Sequence, residues 1–199
     1  AVEDSGVIGY PIGYDPRAET EAMLGSQGGL VGIVKSPAVG TGPSFKGPLG
    51  LQLYSLREQF KPDVPGTLKL VHDFGFHDVE LAGTYGKSPE EFRALLAANH
   101  LNPVAGHFGY ERFRDDPEGV AKEAKALGLQ YAGLAWIPHT GPFTEATTRE
   151  TAKIFNRAGE ALAKHGIKFY YHNHGYEFEP HGDGTLFDLL VKETKPEFV

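Results

Sequence analysis

From Pro48 to Val199 the sequence alternates short apolar runs with longer amphipathic segments at a steady interval, and no other feature narrows the fold as much. Strand-like runs occupy residues 51–55, 78–82, 104–107, 131–137 and 168–174. The segments between them carry helix punctuation. Ser88-Pro-Glu-Glu91 predicts a capping box with proline at the first helical position, where the side chains satisfy N–H groups that a helix start leaves open. Asp116-Pro117 opens the next helix by similar logic, and Gly128 closes it. The longest helix is predicted from about Glu145 to His165 with Gly166 as its stop, and Thr185 caps a last helix that ends before Pro196. Repeated strand–helix–strand units give a parallel sheet with right-handed crossovers. At roughly 30 residues per unit, the ~150 residues available hold about five units. A closed (β/α)8 barrel needs eight units and typically ~250 residues. Two architectures follow: the first five βα units of a TIM-type (β/α)8 barrel, or an open five-stranded doubly wound parallel sheet. Pro196-Glu-Phe-Val199 reads as the start of a sixth strand.

Residues 1–47 differ from the rest. Glycine, proline, serine and alanine crowd 25–29 and 36–43, which predicts a loop-rich arm with one short helix over 15–24 and one short strand over 30–34. Its glycines form neither a GxGxxG nor a GxxxxGKS/T phosphate-binding pattern. The 199 residues suit one domain, with 48–199 as its folded part. Net charge is -7 and there is no basic block, so nucleic acid is not an expected partner. No apolar run approaches the ~18–20 residues of a membrane span. The absence of cysteine excludes disulfides and thiolate metal sites. The chain starts at Ala1 without an apolar signal segment, which fits a soluble protein, either cytoplasmic or periplasmic or secreted after processing.

Chemistry-bearing residues gather at predicted strand ends. Side chains on a strand alternate between faces, so Tyr170, His172 and His174 point one way and Phe169, Tyr171 and Asn173 the other. Two imidazoles on one face, with Glu177 just beyond, place metal-ligand and proton-transfer groups where parallel α/β folds hold their chemistry. Tyr54, Glu80, His107 and Trp136 fall at the same end of earlier strands. Glu80 lies between Val79 and Leu81 and therefore points away from them, toward a barrel interior. A carboxylate there costs several kcal/mol unless it is paired or hydrogen-bonded. His107 follows Ala105 and Gly106, small residues that let a ligand approach the backbone. His72, His77, His100, His139, His165 and His181 read as surface or helix-end residues, and Arg112 as a loop charge facing either solvent or an anionic group.

Leu51-Gln-Leu-Tyr-Ser-Leu-Arg57, Gly75-Phe-His-Asp-Val-Glu-Leu-Ala-Gly83, Trp136-Ile-Pro138, and Phe155-Asn-Arg-Ala-Gly-Glu-Ala-Leu-Ala-Lys-His-Gly166 followed by Tyr171-His-Asn-His174 occur in a telling order and spacing. Together they resemble the xylose isomerase-like TIM barrels of the sugar phosphate isomerase/epimerase superfamily, over roughly Gly47 to Val199. The resemblance implies the barrel rather than the doubly wound sheet. It also implies a divalent metal, with Mn²⁺ first and Mg²⁺, Co²⁺ or Zn²⁺ as alternatives, held by Glu, Asp, His and Glu from late strands. Many relatives carry Glu-Asn-His where this chain reads His172-Asn173-His174. The first ligand then falls to Glu177, with His172 and His174 as ligand or substrate contacts; further ligands would lie beyond Val199. The implied activity is a sugar isomerase or epimerase that removes a proton next to a carbonyl and passes through an enediolate. In that reading Glu80, His107 and His174 are catalytic, Tyr54, Trp136 and His172 bind substrate, and Glu177 binds metal. A lyase or dehydratase on a keto-sugar or inositol derivative, and a non-catalytic carbohydrate-binding relative, are the alternatives. The acidic balance argues against the phosphodiesterase chemistry of related endonuclease barrels. The expected partner is a small sugar or sugar derivative, with a homo-oligomer compatible with the sequence.

Overall fold

The structure, a computed structural model, describes residues 49–196. The predicted N-terminal arm over 1–47, with its short helix and strand, lies outside the described residues, as do 197–199. Five strands form one sheet: β1 (Gly50–Gln52), β2 (Asp78–Leu81), β3 (Asn102–His107), β4 (Tyr131–Leu134) and β5 (Lys168–Tyr171). All neighbouring pairs are parallel, and the order across the sheet is β1-β2-β3-β4-β5. A doubly wound sheet reverses its strand order at a switch point. Here every strand lies beside its neighbours in sequence, the order of consecutive staves in a barrel. The chain is therefore an α/β protein whose sheet fits part of a barrel.

Seven helices accompany the sheet among the described residues: α1 (Arg57–Phe60), α2 (Val64–Asp73), α3 (Pro89–Ala98), α4 (Tyr110–Asp115), α5 (Pro117–Leu127), α6 (Glu145–Ala163) and α7 (Leu186–Glu193). The local signals act as their chemistry requires. Ser88 and Glu91 form both hydrogen bonds of the capping box at α3. Asp116 accepts the Gly119 N–H at the start of α5, and Gly128 ends that helix in the left-handed conformation, φ 83°. Thr185 and Asp188 form a second capping box at α7. Successive helices pack beside one another and bury one face of the sheet. Val79, Leu81, Ala132, Leu134 and Phe169 supply the strand side of that core, and Phe92, Leu96, Val120, Phe155 and Leu162 the helix side. Each of the Val, Leu and Phe side chains contributes about 1.5–3 kcal/mol when fully buried.

The strands are shorter than their apolar runs. After Gln52 the chain turns into a 3-10 helix (Leu53–Leu56), because the Gln52 side-chain oxygen captures the Tyr54 N–H at 2.7 Å. At β5 the His172 N–H still bonds to the Leu134 carbonyl at 2.9 Å, but the His174 N–H turns to Glu177 instead of a strand. A two-residue hairpin, β6 (Pro180–His181) with β7 (Gly184–Thr185), follows a short 3-10 turn (Tyr176–Phe178) and has no counterpart in the predicted elements. Among the described residues, no helix is long and apolar enough to cross a membrane.

Candidate functional site

The sheet face turned away from the helices carries the polar side chains. Register sets Gln52 beside Glu80, and His107 beside Gly133 and then Tyr170. Between Val79 and Glu80 the β2–β3 register shifts, so Glu80 pairs with Ala105 and lies one pleat below His107. Glycine is required at position 133, because a Cβ there would sit 2.5 Å from the Tyr170 ring. At Gly106 a Cβ would meet the Leu129 side chain at 2.8 Å, on the helix side.

This arrangement brings three donors together. One ligand atom each from Glu80, His107 and His172 lies within 4.8 Å of the other two, and all three residues are half-buried. Glu80 Oε1 is 2.8 Å from His107 Nε2, yet that buried nitrogen makes no aligned hydrogen bond. The distance is that of a hydrogen bond while the direction is not, so the carboxylate oxygen lies close to the imidazole nitrogen and leaves it poorly satisfied. Gln52 holds the other side of the ring: its oxygen is occupied by the Tyr54 N–H, and its Nε2 lies 3.4 Å from His107 Nδ1, a weak orienting contact. Tyr170 closes the floor, its ring centroid 5.6 Å from that of His107. Burial, and then the charge of Glu80 beside it, push the Tyr170 phenol well above the usual tyrosine range. One carboxylate and two imidazoles make a donor set that suits a divalent transition metal. The orphaned His107 Nε2 fits that use, so the residues present accommodate the metal that the resemblance implies.

Around the donors runs a wall of rings. His172 lies 5.3 Å from His107, and His174 stacks on His172 at 4.9 Å with planes 6° apart. Trp136 meets His174 at 5.7 Å and is half exposed at the rim. The sequence placed Glu80, His107, His172, His174 and Trp136 at one end of the sheet, and the structure brings these five into one cluster. Tyr54 stands apart, on the 3-10 turn after β1, half exposed with Arg57 over its ring at 4.5 Å. Glu177 is also not brought into the donor group. It is fully buried, both its oxygens accept the His174 N–H at 3.1 and 2.9 Å, and it accepts the Tyr171 hydroxyl. In the structure its carboxylate anchors the segment that carries the imidazoles.

Gln52, Tyr170, His139 and Tyr176 are site neighbours that sequence reading left without a role. The alternation that singled out His172 also put Tyr170 on the same face, which was the available signal. His139 stacks on Trp136 at the rim, where a surface residue was expected. Of the other histidines, His165 pairs with Glu118 at 2.9 Å, and His72, His77 and His100 associate with one another away from the donors. Arg112 is paired with Glu123 at 2.9 Å. Both line a cleft of about 230 Å³ that opens beside His107 between α5 and the loops after β2 and β3.

No protein-family model and no curated protein matches the sequence. Solved structures do match. A sugar phosphate isomerase/epimerase from Parabacteroides distasonis is 26% identical, with a TM-score of 0.64 over 82% of this chain and 68% of its own. Two more distant structures share the fold. An AP endonuclease of family 2 from Brucella melitensis is 19% identical, TM-score 0.53, over 68% of this chain and 60% of its own. A xylose isomerase-like TIM barrel protein from Mycobacterium smegmatis, in complex with magnesium, is 14% identical, TM-score 0.51, over 65% and 52%. The chain thus spans about two thirds or less of the length of these proteins. Its structural neighbours are sugar phosphate isomerase/epimerase and xylose isomerase-like TIM barrel proteins, the group that its sequence motifs resemble.

Proposed function

We propose that this chain carries the site of a divalent-metal-dependent sugar isomerase or epimerase. The observation that carries the reading is the convergence of Glu80, His107 and His172 within 4.8 Å on the inner face of the sheet. Similarity to the Parabacteroides distasonis protein supports the reaction class, and the magnesium bound to the Mycobacterium smegmatis barrel supports a metal. Glu80, His107 and His172 would hold the ion. Two imidazoles with one carboxylate favour Mn²⁺, Co²⁺ or Zn²⁺ over Mg²⁺, which prefers oxygen donors. Bound there, a divalent ion would supply Lewis-acid polarisation of a sugar carbonyl, which would acidify the neighbouring C–H.

The residues of the chain supply the rest. His174 lies one ring step beyond His172, with its backbone fixed by Glu177, and histidine is the side chain suited to moving protons near neutral pH. We assign it the proton taken from the carbon next to the carbonyl. Return of the proton to the neighbouring carbon gives isomerisation, and return to the opposite face gives epimerisation. Tyr170 and Gln52 orient the donors from below, and Trp136 offers an apolar face to the substrate. In this assignment Glu80 and His107 act by holding the ion and not by shuttling protons. Tyr54 and Glu177 then support the site from outside it. Elimination from a keto-sugar would begin with the same proton removal, and product analysis separates the two outcomes.

Calorimetric titration with Mn²⁺ tests the assignment. Glu80→Gln, His107→Ala and His172→Ala should each weaken binding by more than roughly tenfold, since even supporting residues around a metal are worth that much. Exchange of substrate C–H for solvent deuterium should be lost in His174→Ala while its metal affinity persists. Unchanged Mn²⁺ affinity in all three donor variants would remove the proposed centre.

A further inference from the structure

Donor and acceptor roles around His107 fix where its ring carries a proton. The side-chain oxygen of Gln52 accepts the Tyr54 N–H at 2.7 Å, which sets the way round that the amide lies. Its nitrogen, a donor of two protons with no lone pair to offer, then faces His107 Nδ1 at 3.4 Å. The contact is long, yet its polarity is set. An Nδ1 with a free lone pair can face an NH2 group, whereas an Nδ1–H would set donor against donor. The ring proton therefore belongs on Nε2, where Glu80 Oε1 lies 2.8 Å away. A carboxylate beside Nε2 and an amide NH2 beside Nδ1 favour the same tautomer.

That tautomer opposes the use that the donor group invites. A metal takes a ring nitrogen through its lone pair, and the other nitrogen of a ligating histidine donates its N–H to an acceptor. The nitrogen beside Glu80 is Nε2, so an ion held between them leaves the ring proton on Nδ1, opposite the Gln52 NH2. The amide can serve an Nδ1–H by turning over, and its oxygen then leaves the Tyr54 N–H. Gln52 is the cap of the 3-10 turn Leu53–Leu56 through that same oxygen. The donor group and the turn after β1 thus compete for one atom.

We propose that Gln52 is a positioning residue that governs metal uptake. Without an ion its amide holds His107 as the Nε2–H tautomer. An ion is taken up together with a half-turn of the amide, which hands its oxygen from the Tyr54 N–H to the His107 Nδ1–H. The ring stays neutral, losing a proton at Nε2 and gaining one at Nδ1 through water. This deepens the proposed function and rests on its placement of the ion.

Imidazole ¹⁵N–¹H correlation spectra of the full chain at about pH 8, above the ordinary histidine range, read the tautomer before any ion is added. His107→Gln assigns the signal. The wild type should show His107 protonated at Nε2. Gln52→Glu, whose two carboxylate oxygens can accept from Tyr54 and from Nδ1 together, should show it protonated at Nδ1. Zn²⁺, which is diamagnetic, is then titrated into both. It should speed hydrogen exchange of the Tyr54 N–H severalfold in the wild type and leave it unchanged in Gln52→Glu. Calorimetry should give Gln52→Glu a Zn²⁺ affinity about tenfold tighter, the scale on which groups behind a metal ligand act. The added charge contributes to that gain, so the Tyr54 exchange decides. His107 protonated at Nδ1 in the ion-free wild type, or Zn²⁺ binding with Tyr54 exchange unchanged, would overturn the role of Gln52 and leave the metal reading intact. No Zn²⁺ binding by the wild type, with His107 protonated at Nε2, would overturn the metal reading and the uptake step while the tautomer stands.

Discussion

Both oxygens of Glu177 accept the His174 N–H, and the same carboxylate accepts the Tyr171 hydroxyl, so one buried acid fixes the segment that carries both imidazoles. Its truncation removes that buried acceptor from both the His174 N–H and the Tyr171 hydroxyl. Glu177→Ala should lower unfolding free energy by roughly 2–4 kcal/mol, as the loss of two buried hydrogen-bond partners does. Glu177→Gln keeps one acceptor oxygen and should lose less than half as much. Urea denaturation reads both, and a Glu177→Ala loss under about 0.5 kcal/mol would show that the segment holds itself. The inward direction of Glu80 was legible from its apolar neighbours, because pleat alternation is a local rule. The role of Glu177 was not. A carboxylate three residues past a histidine resembles a ligand in sequence, and only the path of the turn shows it folded back onto the His174 backbone.

At the scale of elements, helix ends were the most legible features. Caps are satisfied by side chains one to three residues away, so Ser88 with Glu91, Asp116 and Gly128 announce themselves in the sequence. Ser88→Ala should therefore cost about 1 kcal/mol, and thermal unfolding should show it without any change in Mn²⁺ affinity. Strand ends were read less well. The runs 51–55, 131–137 and 168–174 are all longer in apolar pattern than in ladder, because a strand continues only while a neighbour supplies hydrogen bonds. Gln52 ends β1 by drawing the Tyr54 N–H into a turn, and Glu177 ends the β5 extension in the same way. The consequence is that His172 makes the last ladder hydrogen bond of this extension and His174 stands just past it, at the rim.

Across the whole molecule, buried phenols couple the fold to alkaline pH. Burial pushes Tyr85 up to about 12, and burial is also the first cause that raises Tyr170, Tyr171 and Tyr176. A group whose folded pKa exceeds its unfolded value supports stability that is complete below the unfolded value, about pH 10 for tyrosine, and is lost as pH rises above it. Denaturant midpoints should therefore hold up to about pH 9 and fall steeply by about pH 11, with the phenolate absorbance of these four tyrosines appearing only as the chain unfolds. Early phenolate absorbance from all nine tyrosines, with the fold intact, would contradict this coupling.

The amino-acid sequence alone determined the alternation of strand and helix, the helix caps, the inward face of Glu80 and the shared face of Tyr170 and His172. Each of these depends on interactions within a few residues, or on a periodicity that a short window contains. The tertiary structure decided the sequential strand order, the meeting of Glu80, His107 and His172, the withdrawal of Glu177 into a buried anchor, and the mounting of Trp136 on His139 and Tyr176. These rest on sheet register and on the course of a turn. Register here includes a shift between Val79 and Glu80, which only pairing with the next strand can set.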